Sequence, residues 1–379
     1  MGDVAILAAA RTPLAKRGGA LAPVHPVDLL ASMYRALIQR SGIESTVIED
    51  VLVGCVSQIG DQSFNIGRQA WISAGLPLEV AAASINMMCG SSQRAVMLAD
   101  ALIRSGRYKV VLAGGVESMS RNPVDVEQRL PEGAEGPYPV SYRDQYEPTH
   151  QGEAAERVAE RWGLQREQLD AFAVRSHCRA AASRGQFRRE IIPVATPQGL
   201  VSEDTAIREH TSIEQIGVLP PVFRPQGRIS AGTSSQVVDG AAGMVLGDLE
   251  EAKKQGWPVL GRVLDHVVLG TDPALMLTGP IPATRQVLSR NDLKANDVAW
   301  YEVNEAFASV PLAWQQELEV DGDRLNPAGG AIALGHPLGA SGIRLMVTLL
   351  EGIRGLGGGY GVSTMCVGGG IGVASLLHV

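Results

Sequence analysis

Three residues stand where their types and surroundings could do chemistry. Cys89 lies in NMMCGSS (Asn86 to Ser92), between an apolar run with strand character and a run with helical spacing. A thiol at such a junction sits at a helix N-terminus, where the dipole and free N–H groups favour a thiolate nucleophile. His336 lies in GGAIALGHPLGASG, held between Gly335 and Pro337 among small residues, a rigid setting from which an imidazole moves protons near neutral pH. Cys366 precedes VGGGIG, so a second thiol opens a glycine-rich turn whose N–H groups could face a developing oxyanion. Singly, each has an ordinary reading: a lone cysteine is a small buried hydrophobe and a lone histidine caps a turn. Cys55 and Cys178 keep that reading. Two thiols and one imidazole on glycine-rich turns are harder to dismiss together.

An alternating frame must position them. Val4–Ala9 reads as a buried strand, Val27–Gln39 as a helix with apolar residues at three- and four-residue steps, and Val51–Val56 as another short strand. Arg68–Gly75 reads as helix, Ala82–Met88 as strand, Ser91–Ser105 as helix and Val110–Ala113 as strand, the succession of a layered α/β domain. From about Ser118 to Gln226 the chain turns to Pro, Arg, Glu and Tyr, which reads as an insertion. Within it Gln151–Trp162 and Leu169–Ala180 are amphipathic, and the plain reading is a surface helix pair packed within its own domain. Alternation returns at Gly240–Leu246 and runs through Val298–Val303 to the end. There Ala328–Leu350 followed by Tyr360–Met365 echoes Asn86–Ala113, which suggests two α/β halves related by duplication.

Composition excludes several classes. The 379 residues suffice for two or three domains, and a net charge of −7 leaves no basic field for DNA or RNA. Glycine, 44 residues, far exceeds its usual share of about 7%, so backbones approach closely. No apolar run approaches the roughly 18 residues of a membrane helix, and the N-terminus does not read as a secretory signal. The four cysteines are too widely spaced for a zinc pair or a disulfide framework, so a reducing cytoplasmic setting is expected, with no metal. No Gly-Lys pair supports a phosphate loop, no third small residue completes a dinucleotide turn at Gly368–Gly372, and no HExxH occurs.

Several longer motifs carry a family resemblance. VNEAFA (Val303–Ala308), NPAGGAIALGHPLGASGIR (Asn326–Arg344) and CVGGGIG (Cys366–Gly372) resemble those of thiolases, the acyl-CoA C-acyltransferases. RTP at Arg11, AGGVESMS at Ala113 and MLTGPIPA at Met276 extend the match over nearly the whole chain. The resemblance implies an α/β thiolase fold, two duplicated βαβαβαββ halves in five α-β-α-β-α layers, assembled as a homodimer or homotetramer. The halves would span 1–255 and 256–379, with a coenzyme A-binding loop domain inserted at about 118–235. It implies that Cys89 is the acylated nucleophile, His336 its base, Cys366 the thiol that moves a proton at the acetyl carbon, and Asn304 the holder of a catalytic water. One oxyanion hole would use His336 and that water, the other the N–H groups of Cys89 and Gly368.

The substrate would be an acyl-CoA, with coenzyme A or acetyl-CoA as co-substrate and no bound cofactor. Arg208, Phe223 and Ser235 match coenzyme A contacts, His150 a histidine near the acyl pocket, and Phe307 and Met276 further ligand-binding positions. The chemistry fits the residue types: a thiolate attacks a ketone and leaves again as a thioester, and the expelled enolate needs donors and a proton. Three positions depart from the family pattern. Ser92 replaces a glycine of CGSG, Thr233 an asparagine, and Gln151 a methionine common in short-chain members, while AGTSSQ with EAAER resembles thiolases of bulky, sterol-derived chains. Two other readings stay open, a decarboxylating condensing enzyme and a thiolase-like acyl-CoA-binding protein without turnover. Cys366 opposes the first, which typically carries histidine there.

Overall fold

The computed structural model describes residues 2–124, 134 and 136–379. In chain order the first part holds β1 (Val4–Arg11), β2 (Ala15–Lys16), α1 (Pro26–Ser41), β3 (Asp50–Gly54), α2 (Ile66–Ser73), β4 (Ala81–Ile85), α3 (Ser91–Arg104) and β5 (Val110–Ser118). There follow α4 (Val140–Arg143), α5 (Gln151–Arg161), α6 (Arg166–Ala182), α7 (Arg184–Glu190), the short pair β6 (Val194–Thr196) and β7 (Gly199–Val201), and α8 (Ile213–Gly217). The chain returns to the sheet with β8 (Val238–Asp248) and α9 (Leu249–Gln255). It ends with β9 (Gly261–Gly270), α10 (Pro280–Arg290), β10 (Val298–Val303), α11 (Ser309–Leu318), α12 (Ala331–Leu334), α13 (Ser341–Gly355), β11 (Tyr360–Val367) and β12 (Ile371–His378).

Local signals account for the boundaries. His25 Nδ1 accepts the Val27 N–H at the start of α1, Pro26 occupies its first position, and Gly42 closes it in the left-handed conformation. The strands form one mixed sheet in the order β10-β11-β12-β9-β1-β8-β5-β3-β4, the two halves meeting where Val4–Ile6 pair with Gly261–Val263. Side chains alternate along β1, so Ala5 and Leu7 join one core with α1 while Val4 and Ile6 join another with α3 and α13. A third core holds α10, α11 and the opposite face of β10–β12. The layers are therefore α1 and α2, the first half's sheet, the central pair α3 and α13, the second half's sheet, and α10 with α11. Among the described residues no helix is long and apolar enough to cross a membrane.

The inserted helices do more than pack on one another, contrary to the plain reading of their amphipathic stripes. Ala154, Ala155, Val158 and Ala159 of α5 bury against α11, where Ser309 Oγ donates to the Ala155 carbonyl at 3.1 Å. On α6, Ser176 Oγ donates to Glu305 at 2.7 Å, and Arg179 donates to the Leu325 carbonyl at 2.6 Å. Both stripes seal the insertion onto the C-terminal half, because apolar faces wider than their own partner helix must find other cover.

Candidate active site

The two helices of the central layer bring their N-termini together. Cys89 precedes α3 and His336 precedes α13, corresponding places in the two halves. Glycines at the adjoining strand ends permit this approach. A Cβ at Gly54 would lie 2.3 Å from the Ser92 nitrogen, and one at Gly115 would lie 2.4 Å from the Gly339 carbonyl. Any side chain there would push the helix or the His336 loop away.

Cys89 is buried at 5% exposure, and Met88 before it takes a left-handed φ of 45°. Ser91 Oγ, which receives the Met87 N–H at 2.9 Å, braces this tight turn. The N–H groups of Cys89 itself and of Gly368 act on the Sγ and favour the thiolate, but burial outweighs them and the thiol is pushed up to about 11, with Glu117 adding a smaller upward push. The expectation of a thiolate stabilised by the helix N-terminus is thus corrected: dry surroundings cost the anion more than one helix end returns. Cys366 is likewise raised by burial, and next by the charge of Cys89. Met365, Val367 and Val373 pack with Cys89 in a small apolar cluster, while Cys366 faces the core of the second half.

His336 has a defined tautomer. Ser341 has one hydroxyl hydrogen, which it donates to the Pro337 carbonyl at 2.8 Å. The 2.6 Å contact between Ser341 Oγ and His336 Nδ1 is therefore made with the imidazole N–H donating, which leaves the lone pair on Nε2. Asn304 Nδ2 agrees, donating to that Nε2 over 3.4 Å. Burial, and then Arg344, hold the ring down to about 3, so it is neutral at rest. Asn304 Oδ1 is buried with no partner, an acceptor turned into the site. The Asn304 backbone is fixed by its N–H to the Thr364 carbonyl, 3.0 Å, which ties it to the strand carrying Cys366.

Glu117 joins the surroundings of Cys89 to the histidine loop. Its Oε2 accepts the N–H groups of Val56 (3.0 Å) and Gly339 (2.9 Å), and its Oε1 those of Ser57 (3.1 Å) and the Gln62 amide (2.7 Å). Neither Glu117 nor Ser341 is a residue whose role sequence reasoning identified. A lone acid ending the apolar run Val110–Val116 was the available signal for the first, and a serine five residues after the histidine for the second.

The ligand-binding candidates fall into two groups. His150, Phe223 and Phe307 form an aromatic series, with centroids 5.6 Å and then 5.8 Å apart, and Met276 lies in the same core as Phe307 and Cys366. Phe223 rests over Gly152, where a Cβ would meet its ring at 2.1 Å. Arg208 lines a separate cavity of about 340 Å³ with His177, His210, Ser234 and Gln236. Ser234, one residue before Ser235, faces that cavity, while the Ser235 N–H is tied to the Ala306 carbonyl at 3.0 Å. The Gln236 carbonyl accepts the His336 N–H at 2.9 Å, so the cavity wall continues directly into the histidine loop. Thr233 supplies a local cap, its hydroxyl receiving the Ser230 N–H at 2.9 Å. Among the described residues no group of acidic, histidine or cysteine side chains could hold a metal ion.

Known proteins share this fold and much of its sequence. Residues 4–250 match the family model "Thiolase, N-terminal domain" and residues 257–379 match "Thiolase, C-terminal domain". The steroid 3-ketoacyl-CoA thiolase FadA6 of Mycobacterium tuberculosis is 40% identical over 98% of this chain and 92% of its own. A beta-ketoadipyl-CoA thiolase of Pseudomonas aeruginosa is 39% identical over 98% of each chain. The crystal structure of the Bacillus anthracis acetyl-CoA acetyltransferase superposes with a TM-score of 0.91 at 35% identity, covering 100% of this chain and 99% of that one. These matches lead to one conclusion: the chain belongs to the thiolase family, the acyl-CoA C-acyltransferases.

Proposed function

We propose that this enzyme reversibly cleaves a 3-ketoacyl-CoA with coenzyme A to acetyl-CoA and a shortened acyl-CoA, or runs the reverse condensation, by a ping-pong route through a thioester on Cys89. The observation that carries the reading is two buried thiols, the charge of Cys89 acting on Cys366, together with a buried imidazole that carries its lone pair on Nε2. His336 takes the Cys89 proton as sulfur attacks the C3 ketone. Because thiol and imidazole are both neutral at rest, proton transfer accompanies attack instead of preceding it. The C3 oxyanion is held by the N–H groups of Cys89 and Gly368, donors already directed at the sulfur. Breaking the C2–C3 bond releases the acetyl-CoA enolate, which His336 and an Asn304-held water stabilise while Cys366 protonates its carbon. The Cys366 thiolate left by that step takes the proton of a coenzyme A thiol, whose sulfur removes the acyl group from Cys89, and the departing Cys89 sulfur recovers its proton from His336.

Arg208 and its cavity fit the nucleotide end of coenzyme A, since a guanidinium pairs with phosphate, while the His150–Phe223–Phe307 series and Met276 fit the acyl side. The chain divides into two halves near residue 255, and the first half carries an inserted coenzyme A-binding loop domain at about 118–235. A homodimer or homotetramer is supported by the bare edge of β4, where Ala81 and Ala83 are exposed, together with Phe64 at 89% and Leu78 at 65% exposure. A cytoplasmic setting suits two thiols that must stay reduced. Mass spectrometry after mixing with acetyl-CoA or a 3-ketoacyl-CoA tests the reading: Cys89 gains the acyl mass, and a Cys89 left unmodified by every 3-ketoacyl-CoA offered refutes it.

A further inference from the structure

The reacting groups sit on three separate elements, the start of α3, the loop before α13 and the end of β11. Two consecutive polar side chains in the first turn of α3 connect them. Ser92 and Gln93 are both fully buried, where an unused hydroxyl or amide is costly. A serine early in a helix ordinarily bonds within its own turn, as Ser91 does to the Met88 carbonyl. Ser92 instead accepts the N–H of Ile343, 251 positions away, at 3.1 Å. Ile343 is the third residue of α13, one of the first-turn N–H groups that have no carbonyl within their helix. Ala340 at the N-cap offers no side-chain bond, so Ser92 caps the histidine's helix from the cysteine's helix.

Gln93 turns the other way. Its Nε2 donates to the Ser363 carbonyl at 3.2 Å and to Ser375 Oγ at 2.7 Å, gripping β11 three residues before Cys366 and β12 beside it. Space for this crossing is specific: a Cβ at Gly342 would lie 2.5 Å from the Gln93 nitrogen, and one at Gly115 would lie 2.6 Å from the Ser92 Cβ.

We propose that Ser92 and Gln93 are positioning residues, Ser92 setting Cys89 against His336 and Gln93 setting it against Cys366. The inference rests on the acyl-transfer reading above and assigns a purpose to the serine that stands where the family motif has glycine. It predicts that the two halves of the reaction separate by variant, because reactivity falls steeply when reacting groups move by fractions of an ångström.

The test measures two single-turnover rates in Ser92→Ala and Gln93→Leu, with Ser92→Gly and Gln93→Met as replacements should either fail to fold. One rate is acetylation of Cys89 by acetyl-CoA. The other is condensation by enzyme already acetylated. Ser92→Ala should slow acetylation about tenfold and leave condensation within about twofold, and Gln93→Leu should do the reverse. Thermal midpoints are recorded alongside. If the wild type acetylates while both variants keep wild-type rates, or lose both rates in parallel with their midpoints, the positioning role is wrong. If no acyl-CoA places a group on wild-type Cys89, it is the acyl-transfer reading that fails, and this inference with it.

Discussion

Replacing Ser341 by alanine removes one oxygen and strands one proton. In the intact site His336 Nδ1–H donates to Ser341 Oγ at 2.6 Å, the shorter of the two bonds that keep the lone pair on Nε2, the other being the 3.4 Å one from Asn304 Nδ2. Without the oxygen, the Nδ1–H form is left with a buried donor and no acceptor, at a cost of about 1–3 kcal/mol. The other tautomer, protonated at Nε2, escapes that cost once the Asn304 amide turns its unpartnered oxygen to the ring, but cannot accept the Cys89 proton from the same nitrogen. Since about 1.4 kcal/mol corresponds to a factor of ten, the base-competent fraction falls by roughly 5- to 150-fold. Rapid-quench mass spectrometry of Cys89 acylation should show a burst slowed by about 30-fold, with substrate affinity little changed and the melting midpoint only modestly lowered. Ser341→Thr, which keeps the hydroxyl, should recover most of the rate. An alanine variant that acylates at the wild-type rate would refute the tautomer assignment.

Other outcomes follow from the same geometry. Cys366→Ala should still acylate Cys89 but lose carbon–carbon bond chemistry, as followed by enolate isotope exchange; equal loss of both steps would mean its role is misassigned. Alkylation of resting Cys89 by iodoacetamide should keep accelerating with pH towards about 11, because burial raises the thiol and the anion fraction keeps growing until that value is passed; a rate already level below pH 8 contradicts it. Glu117→Gln leaves a single carboxamide oxygen where two oxygens accept four donors, so urea unfolding should show a loss of about 3 kcal/mol. With that charge gone, Cys89 alkylation should also shift to lower pH, and an unmoved profile would remove Glu117 from the thiol's surroundings.

The fold was legible because its signals are local. Period and turn chemistry mark Val4–Ala9, Val110–Ala113 and Ser91–Ser105 without reference to the rest of the chain, and the observed strands and helix cover the same ground. The insertion's helices were legible as helices, but not as a seal on the second half, since an amphipathic stripe states that a face is buried and not what buries it. Ser341 and Glu117 escaped notice for a related reason. Their effect lies in whom they bond, and Glu117 bonds Gly339, 222 positions along the chain.

The sequence by itself determined the candidate reacting atoms: two thiols and an imidazole, each beside glycines that are covalent facts of the chain, and an amide. Tertiary structure decided their state. A helix N-terminus read along the chain argues for a thiolate at Cys89, yet the thiol stays protonated because folding removes the water that would solvate the anion. The proton's place on His336 is likewise set by a serine hydroxyl and a proline carbonyl whose separation exists only once α13 is formed. Charge and tautomer depend on solvation and on distances in space, and a linear order of residues specifies neither.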